Sequence, residues 1–505
     1  MIKLKRARSF YYKAGLTSAL LLGLAGIVSF AGGGFITVDS INTVVNSPVS
    51  YRWEPSSADT GGWMTSWHDI GSTPGQSPDA SFVHAFTKTW NGSWANNFEH
   101  VTSGARPIMD SYTMWDPTRS KFGLVGVEYQ TVGNSIWFHL SNDPTGATWA
   151  PMNIAIAGMM LGPEGWDFPS AAVDANTGRI VVGASKITGA GNAGYWTSYS
   201  TDGGATWNGP FSVNGATGGE TSRIVWSASG FHAFIQDMTD PLNIALQHWQ
   251  SSDGQTWTRQ LDIATYGTPA LSSPASTVCC NPSGQVSYAA TPDAVAAPGL
   301  GWVVEYPVNI GGRNAINIST ELGGGVTISH TTDLFNAGIT TSSTGDWYLT
   351  YQTYQGGDQI TPIQQGVVYR TPGAPSYLGA IVQQGINPSQ WFYYNSNGRC
   401  STASVACYTP GDFFRPAMNT FSGASVPMIV GSPNLNNMIQ AFVRDPAASN
   451  VPQFLPRIEG FQRGGNLVPR AVFTTTHLQQ IAAGHHKFVT SSMRYDQLRK
   501  AGRLP

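Results

Sequence analysis

Three short stretches constrain this chain more than anything else in it. Ser200-Thr201-Asp202-Gly203-Gly204-Ala205-Thr206-Trp207 has two imperfect copies, Ser141–Trp149 with one extra residue and Ser251–Trp257 with one fewer. Each part suits a tight turn between antiparallel strands. The Asp carboxylate can accept backbone N–H groups across the turn, and glycine supplies the positive φ that such turns need. The β-branched Thr favours the returning strand, and the Trp offers a large apolar body to pack between neighbouring sheets. Three copies ending in Thr-Trp make the chain a repeated β structure.

Longer repeats surround these octets. Asp110–Asp116, a turn, then Phe122-Gly-Leu-Val-Gly-Val lines up with Asp167–Asp174, a turn at Asn176-Thr-Gly178, and Ile180-Val-Val-Gly. Further copies begin near Glu220 (Arg223–Trp226, then Phe231 onward), near Asp293 (Gly301–Tyr306), around Gly345–Tyr351, and at Asp412 (Arg415 to Met418, then Val426–Val430). The spacing predicts units of apolar strand, polar turn, apolar strand, further strand and octet turn, each a four-stranded antiparallel blade. Six units, with residues 50–100 closing the ring or adding a blade, predict an all-β propeller of six blades, or alternatively seven.

Ser-x-Asp-x-Gly-x-Thr-Trp resembles the Asp-box, or bacterial neuraminidase repeat, of sialidase-like β-propellers. Ser57–Trp63 is a weaker fourth candidate. The resemblance covers roughly residues 50–460. It implies architecture more than activity, because many non-catalytic surface proteins share that fold. Its structural residues here are Asp143, Trp149, Asp202, Trp207, Asp253 and Trp257.

Composition agrees with many short strands. The 505 residues include 58 Gly, 31 Pro and 17 Trp, with only 11% charged, which excludes a helical or disordered chain. A net charge of −2 with no basic stripe in the body argues against nucleic acid as a partner. Residues 1–13 carry five basic side chains and no acid, and the uncharged stretch Ala14–Ala31 ends in Ser29-Phe30-Ala31, a small-x-small cleavage site. The expected organisation is a signal peptide over 1–31, or an uncleaved anchor, then the propeller over 32–463 and a basic tail with short helices over 464–505. Both N-terminal readings place the bulk outside the cytoplasm, secreted or at the cell surface, with the membrane met only through an uncleaved leader. Cys400 and Cys407 bracket a six-residue loop that suits a local disulfide, whereas Cys279-Cys280 can pair with each other or elsewhere. No Cys/His spacing suits a metal, and no cofactor motif is present.

Ligand sites in propellers lie at one mouth of the central channel, so residues opening each repeat are the candidates. They are Arg106, Asp110, Asp167, Glu220, Arg223, Asp293, Asp412 and Arg415. The sialidase resemblance implies three arginines gripping a carboxylate, a Tyr nucleophile with its Glu, and an Asp acid/base. Arg106-Pro107-Ile108 is similar, in scrambled order, to the family's Arg-Ile-Pro. Arg223, Arg313, Arg370 and Arg415 compete for the other arginines, Glu220 and Glu305 for the Glu, and Tyr369, Tyr393 and Tyr394 for the Tyr. The chain departs from the pattern at Glu128–Asn134, where the acid/base Asp should fall and none is present. Two functions follow: a non-catalytic module binding a carbohydrate or a cell-surface protein, with Trp63, Trp67, Trp90 and Trp94 as sugar-stacking candidates, and a sialidase-type glycoside hydrolase. The departures favour the first.

Overall fold

A computed structural model describes residues 35–41, 51–59, 63–70, 80–87, 95–100, 108–128, 134–158, 165–188, 191–215, 219–237, 239, 244–266, 292–310, 313–323, 325–329, 334–341, 345, 347–354, 362–369, 417–421, 424–431, 439–444 and 457–462. These residues form seven antiparallel sheets, numbered I to VII. Sheet I takes Tyr51–Asp59, Trp63–Ile70, Ala80–Thr87 and Ala95–His100 in order, and sheet II takes Ile108–Asp116, Lys121–Glu128, Ser135–Leu140 and Asn153–Ile156. Sheet III is Gly165–Val173, Ile180–Thr188, Gly191–Ser200 and Asn208–Ser212. Sheet IV is Gly219–Ser227, Gly230–Asp237, Ile244–Ser251 and Thr258–Arg259, with Ala264–Tyr266 also pairing to its third strand. Sheet V runs Asp293–Ala297, Gly301–Ile310, Arg313–Thr320, Gly325–Ser329 and then Arg457–Gln462. Sheet VI is Phe335–Thr341, Trp347–Tyr354 and Pro362–Tyr369. In sheet VII, Ala417–Phe421, Ala424–Gly431 and Ile439–Arg444 are joined by Phe35–Ile41 from the other end of the chain.

The meander order of strands that follow one another in the chain comes from sequence, because short turns join antiparallel neighbours; Arg457–Gln462 and Phe35–Ile41 depart from it. What arranges the sheets is their two-sided burial. In Ile180-Val181-Val182, alternate side chains point to opposite faces. Ile180 and Val182 enter a core with Val125, Val127, Ile136 and Phe138 of sheet II, while Val181 enters a core with Ile224, Phe231 and Ala233 of sheet IV. The same division places Val225 and Phe234 against Val304 and Tyr306 of sheet V, and Val303 and Ile316 against Ile339 and Leu349 of sheet VI. Sheets II to VI are thus stacked face to face, each core shared by two neighbours. Their first strands lie side by side in chain order, and Ala417–Phe421 approaches the first strands of both sheet VI and sheet I.

The three octets sit between the third and fourth strands of sheets II, III and IV. The expected unit placed the octet at its end, but a short fourth strand follows each one. Ser57–Trp63 falls instead between the first and second strands of sheet I, so it is not a fourth member of the set. The proposed N-terminal leader, the four cysteines and the C-terminal tail lie outside the described residues. Among those described, no helix is long and apolar enough to cross a membrane.

Candidate functional site

The octets are structural devices. Asp143 accepts the amides of Thr145 (2.9 Å) and Thr148 (2.9 Å), together with both threonine hydroxyls. Asp202 accepts the Thr206 amide (2.9 Å) and hydroxyl (2.6 Å), and Asp253 accepts the amides of Gln255 and Thr256. Burial pushes the Asp143 carboxyl up, but the Thr145 hydroxyl and three turn amides outweigh it and hold the group well below the usual range. Asp202 is lowered to about 2, chiefly by the Thr206 hydroxyl. Each tryptophan returns its indole N–H to the octet: Trp149 to Gly146 (2.8 Å), Trp207 to Gly204 (3.0 Å) and Trp257 to Gly254 (3.3 Å). Trp207 then meets Phe138 of sheet II edge-on at 5.2 Å, and Trp257 joins the core between sheets III and IV. Gly204 (φ +88°) and Gly254 (φ +73°) hold conformations that side chains resist, and a Cβ added to either would run into Phe138 or Val181 of the preceding sheet.

A second tie recurs from sheet to sheet. Arg119, in the first turn of sheet II, donates to the Gly178 carbonyl (2.8 Å) of sheet III. Arg179, in the equivalent turn of sheet III, donates to the Asp253 carbonyl (2.9 Å) in the octet of sheet IV. In sheet IV the turn carries Ser229 instead, and its hydroxyl donates to Glu321 (2.6 Å) in the third turn of sheet V. Sheet V has no octet there, and Glu321 fills the same place.

Three of the mouth candidates, Asp110, Asp167 and Glu220, fall at one level of their first strands. A β-bulge interrupts these strands at Trp53–Ser56, Met109–Tyr112, Asp167–Ser170, Glu220–Ser222 and Phe335–Gly338. Glu54, Asp110, Asp167 and Glu220 lie in or beside these bulges, and Asp293 opens the first strand of sheet V. Bulges re-aim side chains next to functional sites and sheet rims alike. Phe168, following Asp167, has φ +51°, rare for a bulky residue, and its amide donates to the Asp167 carboxylate at 2.9 Å. Glu54 escaped the sequence reading, although its short offset from a turn acid (Asp59, as Asp110 from Asp116) was available.

Arg223, read as a grip for a substrate carboxylate, is buried and ion-paired. It is 3% exposed and donates through Nε to Asp293 Oδ1 at 3.1 Å, while its guanidinium carbon lies 5.7 Å from the Tyr112 ring centre. The other Asp293 oxygen accepts the Ile339 amide of sheet VI (3.0 Å). Arg223 and Asp293 therefore connect sheets II, IV, V and VI. Beside them Ser170 accepts the Ile224 amide (3.1 Å) and bonds the Tyr195 hydroxyl (2.7 Å). Burial raises the Tyr195 hydroxyl far above its ordinary value, so it stays neutral.

Glu305 pairs in register with Asp293 and is 1% exposed. Its Oε1 has no hydrogen-bond partner among the described residues. Burial, reinforced by the Asp293 charge, pushes its carboxyl well above the usual range. Glu128 also lies sealed in, at the end of the second strand of sheet II, where it accepts the Trp137 indole N–H at 2.7 Å. Asp167 is fully buried, and Asp110 and Glu220 are placed by their backbone alone. Tyr369 ends the third strand of sheet VI, and Arg313 opens the third strand of sheet V. Arg106, Arg370, Asp412, Arg415, Tyr393 and Tyr394 lie outside the described residues, as do Cys400 and Cys407. Among the described residues no group of three or more His, Cys, Asp or Glu side chains is placed to hold a metal ion.

No protein-family model matches the chain, and no curated protein matches it. Several solved structures are similar to it at low identity. A protein of unknown function from Dyadobacter fermentans is 12% identical over 81% of this chain and 99% of its own, with a TM-score of 0.40. The Trypanosoma rangeli sialidase in complex with 2,3-difluorosialic acid is 11% identical over 82% of this chain and 57% of its own, with a TM-score of 0.41. The NanB sialidase from Streptococcus pneumoniae is 10% identical over 82% of this chain and 71% of its own, with a TM-score of 0.42.

Proposed function

We propose that this protein is an exported Asp-box β-propeller of seven blades that binds a carbohydrate or a cell-surface protein and performs no hydrolysis. Each of the seven sheets is one blade, and the pairing of Phe35–Ile41 with Ile439–Arg444 is the clasp that joins the two ends of the chain. Face-to-face cores between sheets II and VI, and first strands that neighbour one another in order, support that architecture.

The observation that carries the binding reading is the state of Arg223. A guanidinium that grips a substrate needs its fork open to the ligand. This one is enclosed, and Asp293 already answers its charge. The polar groups at the first strands are then fasteners between blades, and recognition falls outside them, with Trp63, Trp67, Trp90 and Trp94 as the stacking platforms. Purified mature protein on a glycan array tests this: saturable binding to a restricted set of glycans is expected. A folded, monodisperse sample that binds none of them would remove the carbohydrate half of the proposal.

One observation favours a hydrolase as the second reading. Burial raises the Glu305 carboxyl in the direction a general acid needs, and its Oε1 has no hydrogen-bond partner among the described residues. Its burial beneath the Asp293 pair gives a sugar no route to it, which keeps this reading second.

A further inference from the structure

The contact between sheets IV and V holds two stacked histidines. His232 Nδ1 lies 2.9 Å from His248 Nε2, and the rings stack at 5.1 Å. His232 Nε2 lies 3.0 Å from the Ser227 hydroxyl and 2.9 Å from the Ser229 hydroxyl. Both serines face Glu321 of sheet V, Ser229 at 2.6 Å and Ser227 at 3.4 Å, and Glu321 also accepts the Trp302 amide at 3.1 Å. The Trp302 ring stands edge-on to both His248 and Phe234, and Phe234 stacks on His248. The cluster is therefore continuous across the sheet boundary.

We propose that these groups form an acid-sensitive latch between sheets IV and V, closed while the histidine pair is neutral and opened when it is protonated. A bond between two imidazole nitrogens needs one hydrogen and one lone pair. In the closed state one hydrogen lies between the facing nitrogens; when it sits on His232 Nδ1, His232 Nε2 accepts from the Ser227 hydroxyl, because the Ser229 hydroxyl is given to Glu321. A further proton on each ring puts hydrogens on both facing nitrogens and turns that contact repulsive. It also makes His232 Nε2 a donor, so the Ser227 hydroxyl must turn away.

Burial works against the charged form of both rings, and for His248 the neighbouring His232 adds to it, lowering each to about 4. Glu321 is the charged group facing them, and it pulls in the other direction without overcoming burial. A folded-state value depressed below 6.5 means the closed state binds fewer protons, so stability present above 6.5 is lost as pH falls towards 4. An opened latch with ordinary histidines gains about 30-fold in population per histidine between neutral pH and pH 5.

Hydrogen exchange of the full chain, corrected for the intrinsic pH dependence of exchange, reads the latch directly. Peptides covering Gly230–Asp237, Ile244–Ser251 and Gly301–Ile310 should lose protection between pH 7.5 and 5, relative to Ile180–Thr188 in sheet III. His248→Phe keeps the ring stack and removes one titrating group, and it should flatten that pH dependence. An unchanged slope in a folded His248→Phe protein, or uniform protection across the range, overturns the latch. Proton NMR of histidine-labelled wild-type protein decides independently of any variant. Two imidazoles, His232 and His248, are expected to titrate well below 6.5, and both titrating near 6.5 would overturn it.

Discussion

Gly204→Ala isolates what the octet does between sheets. At φ +88° an L-residue adopts a left-handed conformation, which costs about 1–2 kcal/mol. The added methyl would also lie 2.4 Å from two ring carbons of Phe138 in the neighbouring sheet, where no van der Waals contact exists at that distance. Forcing such a group into a packed site costs about 1–3 kcal/mol more. The sum is about 2–5 kcal/mol. Gly215 supplies the comparison: its φ is +73°, but a methyl there meets nothing within 4 Å. Gly215→Ala should therefore show the backbone term alone, about 1–2 kcal/mol. Urea unfolding of both variants and the parent, followed by tryptophan fluorescence, gives the difference from the midpoints at constant m. Equal losses would mean that Gly204 serves only its own turn, and the argument that the octet wedges one sheet against the next would fail.

Arg223→Met leaves the Asp293 charge buried without its partner and should cost about 3–5 kcal/mol, with much of it restored in Arg223→Met/Asp293→Asn. A loss under about 1 kcal/mol in the single variant would show that the pair does not fasten the sheets. Trp207→Ala removes the edge-on contact with Phe138 and should destabilise by about 3 kcal/mol, read as a fall in thermal midpoint. Acid should act on the octets below the histidine range. Asp202 is lowered from 3.8 to about 2, and Asp143 and Asp253 are lowered as well, so their contribution is complete above pH 3.8 and lost as pH falls towards 2. Asp143→Asn/Asp202→Asn should flatten that last part of an acid titration, and an unaltered profile would contradict the hydrogen-bond account.

The parts of the fold legible in sequence are those written locally. The octets, the turn acids Asp116 and Asp174, and the alternating runs at Phe122 and Ile180 gave the strand order of sheets II and III because turn chemistry and period-two burial are local properties. Tyr51–Asp59, Trp63–Ile70, Ala80–Thr87 and Ala95–His100 pair into a sheet of their own. Pairing of Phe35–Ile41 with Ile439–Arg444, and of Gly325–Ser329 with Arg457–Gln462, was not legible. Strand partners hundreds of residues apart share no local signal. At the site, Asp110, Asp167 and Glu220 were found by their place in the repeat, but Glu54 was not, nor was the union of Arg223 with Asp293, since 70 residues separate them. Glu321 was missed for a different reason: it performs an octet's tie without an octet's sequence.

Hydrolysis of a fluorogenic sialoside by the purified protein, beside an Arg106→Ala control, tests the central claim most directly. An architecture that uses its inner polar groups as fasteners is expected to give no turnover above buffer in either sample, at a pH where both are folded. Turnover by the parent that disappears in Arg106→Ala would contradict the account and establish an arginine-anchored hydrolase.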